Sequence, residues 1–170
     1  MSQVGQAYID RARRHLADRT DRIKHCLGQL DDGQVWWRPH ESMNSIGNLV
    51  LHLCGNLRQW VVSGVGGVPD VRDRPAEFSE RGPIPRGELI RRLDAVVADA
   101  DAALAILDES RLLEPRRIQG FDETVMSAVW DSLTHLSGYT QEVIHVSRLQ
   151  LGDTYRFAWV PSTPEHGAPA

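Results

Sequence analysis

Apolar residues recur at helical spacing in four stretches of this chain. The first runs from Gln3 to Leu30, with Ile9, Ala12, Leu16, Ile23, Cys26, Leu27 and Leu30 on one face, and Asp31, Asp32 and Gly33 end it. The second opens at Asn44 or Ser45, either a good N-cap, continues through IGNLVLHLCGNLRQWVVS and stops at the glycines of SGVGGVP. The third starts near Arg86 and carries the most regular stripe: Leu89, Leu93, Val96, Val97, Ala100, Ala103, Leu104 and Leu107. The fourth, capped by Ser127, reads AVWDSLTHLSGYTQEVIHVSRLQL and ends at Gly152.

Between these stretches the pattern lapses. QVWWRPHES contains Pro39 and reads as a connector that packs its aromatics, not as a helix. The segment VPDVRDRPAEFSERGPIP has no clear period, so residues 65–84 read as an exposed loop, with Arg72, Asp73 and Arg74 a solvated charge run. Antiparallel neighbours need only ~2–8 linking residues. A connection this long predicts that helices two and three run parallel, joined by a crossover. Glu114 to Val125, with Pro115 and Gly120, is irregular, and no strand pattern is visible. The expected fold is all-α: a four-helix bundle with a long crossover between helices 2 and 3, one domain over residues 1–160. The chain after Asp153 keeps Tyr155, Phe157 and Trp159 and is expected to pack back, while residues 161–170 read as a disordered tail.

Composition narrows the function classes. A net charge of −4 gives no basic face for nucleic acid. No run approaches the ~18 apolar residues of a membrane span, and the N-terminus lacks a signal peptide's apolar core. Cys26 and Cys54 have no close-spaced motif and read as buried thiols of a reducing compartment, so the expected location is cytoplasmic.

The chemistry sits in two polar columns on otherwise apolar helices. Helix two places Asn48, His52, Asn56 and Gln59 on one face, and helix four places Asp131, His135, Tyr139 and Glu142 likewise. Buried polar groups are costly unless paired, so the two columns are expected to face each other across a shared pocket. A lone histidine inside a helix is ordinarily a hydrogen-bonded core residue. Two on facing columns suggest a metal site instead, but a metal wants at least three protein ligands, and the helix-four pair reads H-x-x-x-Y. His145 lies too far along the helix to share a metal with His135. His40 reads as a loop residue, and His15, His25 and His166 offer no constellation.

Two segments, NSIGNLVLHLCGNLRQWVVSGVGGVPDVRDRPAEF and HLSGYTQEVIHVSRLQLGDTYRFAWVP, resemble the DinB/YfiT-like superfamily of four-helix-bundle metalloproteins. The resemblance covers nearly the whole domain. It implies one metal-binding histidine in helix two, matched by His52, and an H-x-x-x-H pair in helix four, matched by His135 and, with tyrosine for histidine, Tyr139. It implies a divalent metal such as zinc, nickel or iron, and relatives that are transferases or isomerases using low-molecular-weight thiols. Three readings follow. The first is a metal-dependent thiol transferase or hydrolase acting on a small molecule. The second is a metal-free descendant that binds a small molecule or keeps only the fold, with His52 and Tyr139 hydrogen-bonded across the bundle. The third is an interaction module, a homodimer through helix faces or the 65–84 loop. No nucleic-acid or membrane partner is expected.

Overall fold

Helix α1 (Gln3–Leu27) buries Ile9, Ala12, Leu16, Thr20, Ile23, Cys26 and Leu27, the stripe its sequence spacing predicts. The structure, a computed structural model, describes residues 3–160 and is mostly helical. The other long helices are α3 (Ile46–Leu57), α5 (Arg86–Ala105) and α6 (Val125–Leu151). Helix α1 packs against α5 and α6, and α3 packs against the same two, so a single core lies between them. Among the described residues no helix is long and apolar enough to cross a membrane.

The helix ends follow from local chemistry. Ser45 caps α3, its hydroxyl accepting from the Asn48 N–H while Asn48 Oδ1 accepts from the Ser45 N–H. The helix continues as a π-helix over Arg58–Ser63, in which the Gly64 N–H bonds back to the Gln59 carbonyl. Helix α6 begins three residues earlier than its sequence suggests. Thr124 is the cap and Ser127 the reciprocating third residue of the box.

Three expectations need correction. QVWW is not a plain connector: Asp31 and Gln34 form a capping box for the short helix α2 (Asp32–Trp36). Trp36 is then buried, its indole donating to the Ile84 carbonyl at 2.9 Å. Second, the irregular stretch before α6 is a hairpin of β1 (Pro115–Ile118) and β2 (Phe121–Thr124). Its two-residue loop, Gln119–Gly120, has positive φ at both positions, the geometry a tight hairpin requires. Strands of four residues with mixed polarity leave no alternation to read. Third, the connection after α3 contains a helix, α4 (Arg74–Ser79), packed on α3.

The chain after α6 packs back through Tyr155 and backbone contacts. Tyr155 meets the Cys26 thiol at 3.6 Å, and the His25 imidazole donates to the Arg156 carbonyl at 2.6 Å. Phe157 and Trp159 stay more than half exposed. The tail expected over 161–170 lies outside the described residues. Both cysteines are unpaired, and burial raises both thiols, Cys54 to about 12.

Candidate metal centre

Helix α3 carries His52 into the interior with only 3% of its surface exposed, and α6 brings His135 to meet it. Their Nε2 atoms lie 2.9 Å apart. On the other side of the His52 ring, Nδ1 is 2.8 Å from Glu77 Oε2 of α4. A carboxylate only accepts hydrogen bonds, so at the shorter contact His52 donates from Nδ1 to Glu77, and Arg72 Nη2, 3.1 Å from the same nitrogen, spends its N–H on Glu77 Oε2 at 2.9 Å. With one proton on the ring, its Nε2 presents a lone pair towards His135, whose Nε2–H donates to it. Burial first, then the neighbouring His52 and Arg72, push His135 down to about 4, so it is neutral near pH 7.

Glu77 is itself fixed by a buried arginine. Arg72 donates from Nε to Oε1 at 2.7 Å and from Nη2 to Oε2 at 2.9 Å, a two-pronged pair with both side chains under a tenth exposed. Burial works to raise the Glu77 carboxyl, but the hydrogen bonds from Arg72 and His52 and the charge of Arg72 outweigh it, and the group sits below its ordinary value. Arg72 Nη1 donates to Gln59 Oε1 at 2.9 Å, tying the pair to the end of α3. Phe78 covers His52 at 4.7 Å between ring centroids, and the Arg74 guanidinium lies 4.9 Å from the Phe78 ring. The charge run expected to be solvated thus contributes a buried ion pair.

The expected polar columns divide. Asn48 is fully buried but turns towards α4, donating to the Glu77 and Glu80 carbonyls and accepting from Arg38 at 2.7 Å. Asn56 joins α3 to α6, accepting from Ser132, a residue outside the expected column, at 3.0 Å. Gln59 serves Asp70 and Arg72 in the connection. Asp131 is exposed and is not a pocket residue, while Glu142 is partly buried. The ring of Tyr139 packs 4.6 Å from His135 and 5.1 Å from His52, centroid to centroid. His52 uses both nitrogens on Glu77 and His135, so it meets Tyr139 through ring packing and not through the expected hydrogen bond. His40 and His145 are exposed. His15 does have a partner, lying 2.6 Å from the Ser137 hydroxyl, and His166 is outside the described residues.

Glu77, Arg72 and Phe78 are the residues that sequence reasoning missed. A signal existed: Asp73, Pro75 and Glu77 form the cap, first-turn proline and first-turn acid of a helix start. Helix α4 is six residues long, too short to show a period. Its approach depends on Gly55, where an added Cβ would fall 1.8 Å from Glu77 Oε1 and 2.9 Å from Arg72 Nε. Gly55→Ala is therefore expected to lift Glu77 off His52 at a cost of about 1–3 kcal/mol. Thermal unfolding reads the cost, and the nitrogen shifts of His52 read loss of the fixed tautomer. An unchanged melting temperature would mean that Glu77 does not seat there.

Two imidazole nitrogens 2.9 Å apart can both reach a point ~2.1 Å away, the usual metal–nitrogen distance. The carboxylate behind His52 matches the outer partner that metal-binding histidines commonly have. The separation of the two Nε2 atoms suits one shared divalent ion, and binding it would require the His135 proton to sit on Nδ1 so that Nε2 is free to ligate. Tyr139 fits less well, because burial first and then Glu142 raise its hydroxyl above the ordinary value. Among the described residues no group of three His, Cys, Asp or Glu gathers as a ligand set.

Comparison with known proteins places the chain without assigning an activity. No curated protein matches it. A solved structure described as a conserved protein from Enterococcus faecalis is similar, with 15% sequence identity, coverage of 90% of this chain and all of that one, and a TM-score of 0.72. That likeness is one of fold. A family model described as a protein of unknown function, DUF1572, matches residues 3–163. The chain belongs to the DUF1572 family.

Proposed function

We propose that this chain is a DinB/YfiT-like four-helix-bundle protein that holds a divalent metal between His52 and His135, with Tyr139 at the third position. The observation that carries the reading is the convergence of the two Nε2 atoms, one of them on a ring anchored from behind by Glu77. A bound divalent ion would supply Lewis-acid chemistry to a small-molecule substrate or a low-molecular-weight thiol. The protein's own groups set the conditions. Glu77 fixes the His52 tautomer, burial keeps His135 neutral and able to bind, and Phe78, with Arg74 over its ring, covers His52. With both cysteine thiols raised, a reacting thiol would come from the substrate side.

One observation favours a second, metal-free reading. The His135 Nε2–H to His52 Nε2 hydrogen bond satisfies both nitrogens by itself, and the raised Tyr139 phenol is a poor ligand near neutral pH. Metal analysis of the purified, untagged protein, followed by zinc, nickel and iron(II) titration, separates the two. The metal reading expects saturable binding of about one ion per chain that His52→Ala abolishes. No binding by the parent leaves the metal-free reading.

A further inference from the structure

A cavity of about 410 Å³ lies between α1 and α6, within the ~300–1,000 Å³ range of small-molecule sites. At 100° per residue, its α6 residues Leu133 and Ser137 point roughly opposite to His135, so the cleft is separate from the His52–His135 centre. Its floor is apolar, formed by buried Ala12 and Leu133. One end is aromatic. There Tyr8 donates its hydroxyl to the Met126 carbonyl at 2.6 Å, and Trp130 stands 63% exposed. The other end is polar, where His15 Nε2 meets Ser137 Oγ at 2.6 Å. The seven steps from Trp130 to Ser137 span ~10 Å along the helix.

The polar end is built for recognition and not for attack. Ser137 gives its only proton to the Leu133 carbonyl at 2.9 Å, so His15 is the donor across the cleft and no activated hydroxyl results. The charge at this end is positive. Arg11 lines the cleft, and Arg19 lies one turn beyond His15 on the same face of α1. Asp18 pairs with Arg19 Nη2 and with Arg22, but the buried Nε of Arg19 has no hydrogen-bond partner. Arg19 does not itself line the cleft, so the cation within it is Arg11. The exposed Asp131 acts at the opposite, Tyr8 end.

We propose that this cleft binds a small amphipathic anion, an aryl or medium-chain carboxylate. Its apolar body lies on Ala12, Leu133 and Trp130, and its carboxylate meets Arg11 and the His15–Ser137 pair. Octanoate titrated into the full chain, followed by calorimetry and tryptophan fluorescence, should bind saturably at one site. Octylamine, equal in length and opposite in charge, should bind at least about tenfold more weakly. Arg11→Glu should weaken octanoate by a similar factor. Thr134→Trp, at an exposed position on the cleft wall, should abolish binding by filling the space, with circular dichroism confirming each variant's fold. Equal binding of octanoate and octylamine overturns the proposal. So does octanoate binding that survives Thr134→Trp, and so does the absence of saturable binding at low-millimolar octanoate or phenylacetate.

Discussion

Replacing Tyr139 by histidine is expected to tighten zinc binding by about a hundredfold, the effect of supplying a third neutral nitrogen ligand. The residue is placed for it: one turn after His135, its ring lies within about 5 Å of both imidazoles, centroid to centroid. What limits it is the phenol. Burial and Glu142 hold its proton more firmly than in water, and a metal would have to displace that proton to gain the ligand. An imidazole has no such cost near neutral pH. Competition with a chromophoric chelator measures the change, and affinities within about twofold would remove Tyr139 from the third position. Tyr139→Phe refines the result. Unchanged binding leaves the hydroxyl uninvolved, whereas lost binding makes it a ligand in spite of its raised value. Tight binding by Tyr139→His with none by the parent would instead establish the metal-free reading and show what a single substitution withdrew.

The long helices were legible because each buries a stripe whose period repeats several times, as Leu89, Leu93, Val96, Ala100 and Leu104 do on α5. His52 and His135 were legible as a pair because both interrupt such stripes. The groups that hold them were not. Glu77 and Arg72 are buried charges, and nothing local distinguishes a buried charge from a solvated one. Their burial depends on the space left by Gly55 twenty-two positions before Glu77, on the reach of Arg72 to Gln59, and on Asn48 fastening the carbonyl end of α4. Each of these is a contact distant in sequence. The hairpin escaped for a different reason. Only Ile118 of its eight strand residues is fully buried, so packing imposes no alternation on the others. Asp131 failed in the opposite sense: helical spacing put it on the histidine face, one turn before His135, but its side chain reaches solvent. Periodicity gives an angle around a helix axis and does not say how deep the partner surface extends.

Glu77→Ala is expected to cost about 3–5 kcal/mol of folding stability, as removal of one partner from a buried ion pair does. The side chain of Arg72 is 3% exposed, and in the variant its guanidinium would keep the Gln59 bond but lose both bonds to the carboxylate. The loss would extend to His52, whose Nδ1–H would have no acceptor at 2.8 Å and whose tautomer would no longer be fixed. Urea unfolding in the presence of a chelator isolates this effect from any metal linkage. A cost below about 1 kcal/mol would mean that the pair is solvated, as surface ion pairs of that worth are. Arg72→Met should be comparably damaging, because it leaves the carboxylate buried without its counter-ion. The double variant Arg72→Met/Glu77→Met should be less destabilised than the sum of the two single substitutions, since apolar side chains of similar volume carry no desolvation penalty. If the double variant regains stability but binds metal tenfold to a hundredfold more weakly than the parent, the pair serves the histidine more than the fold, within the range that outer partners of metal ligands contribute.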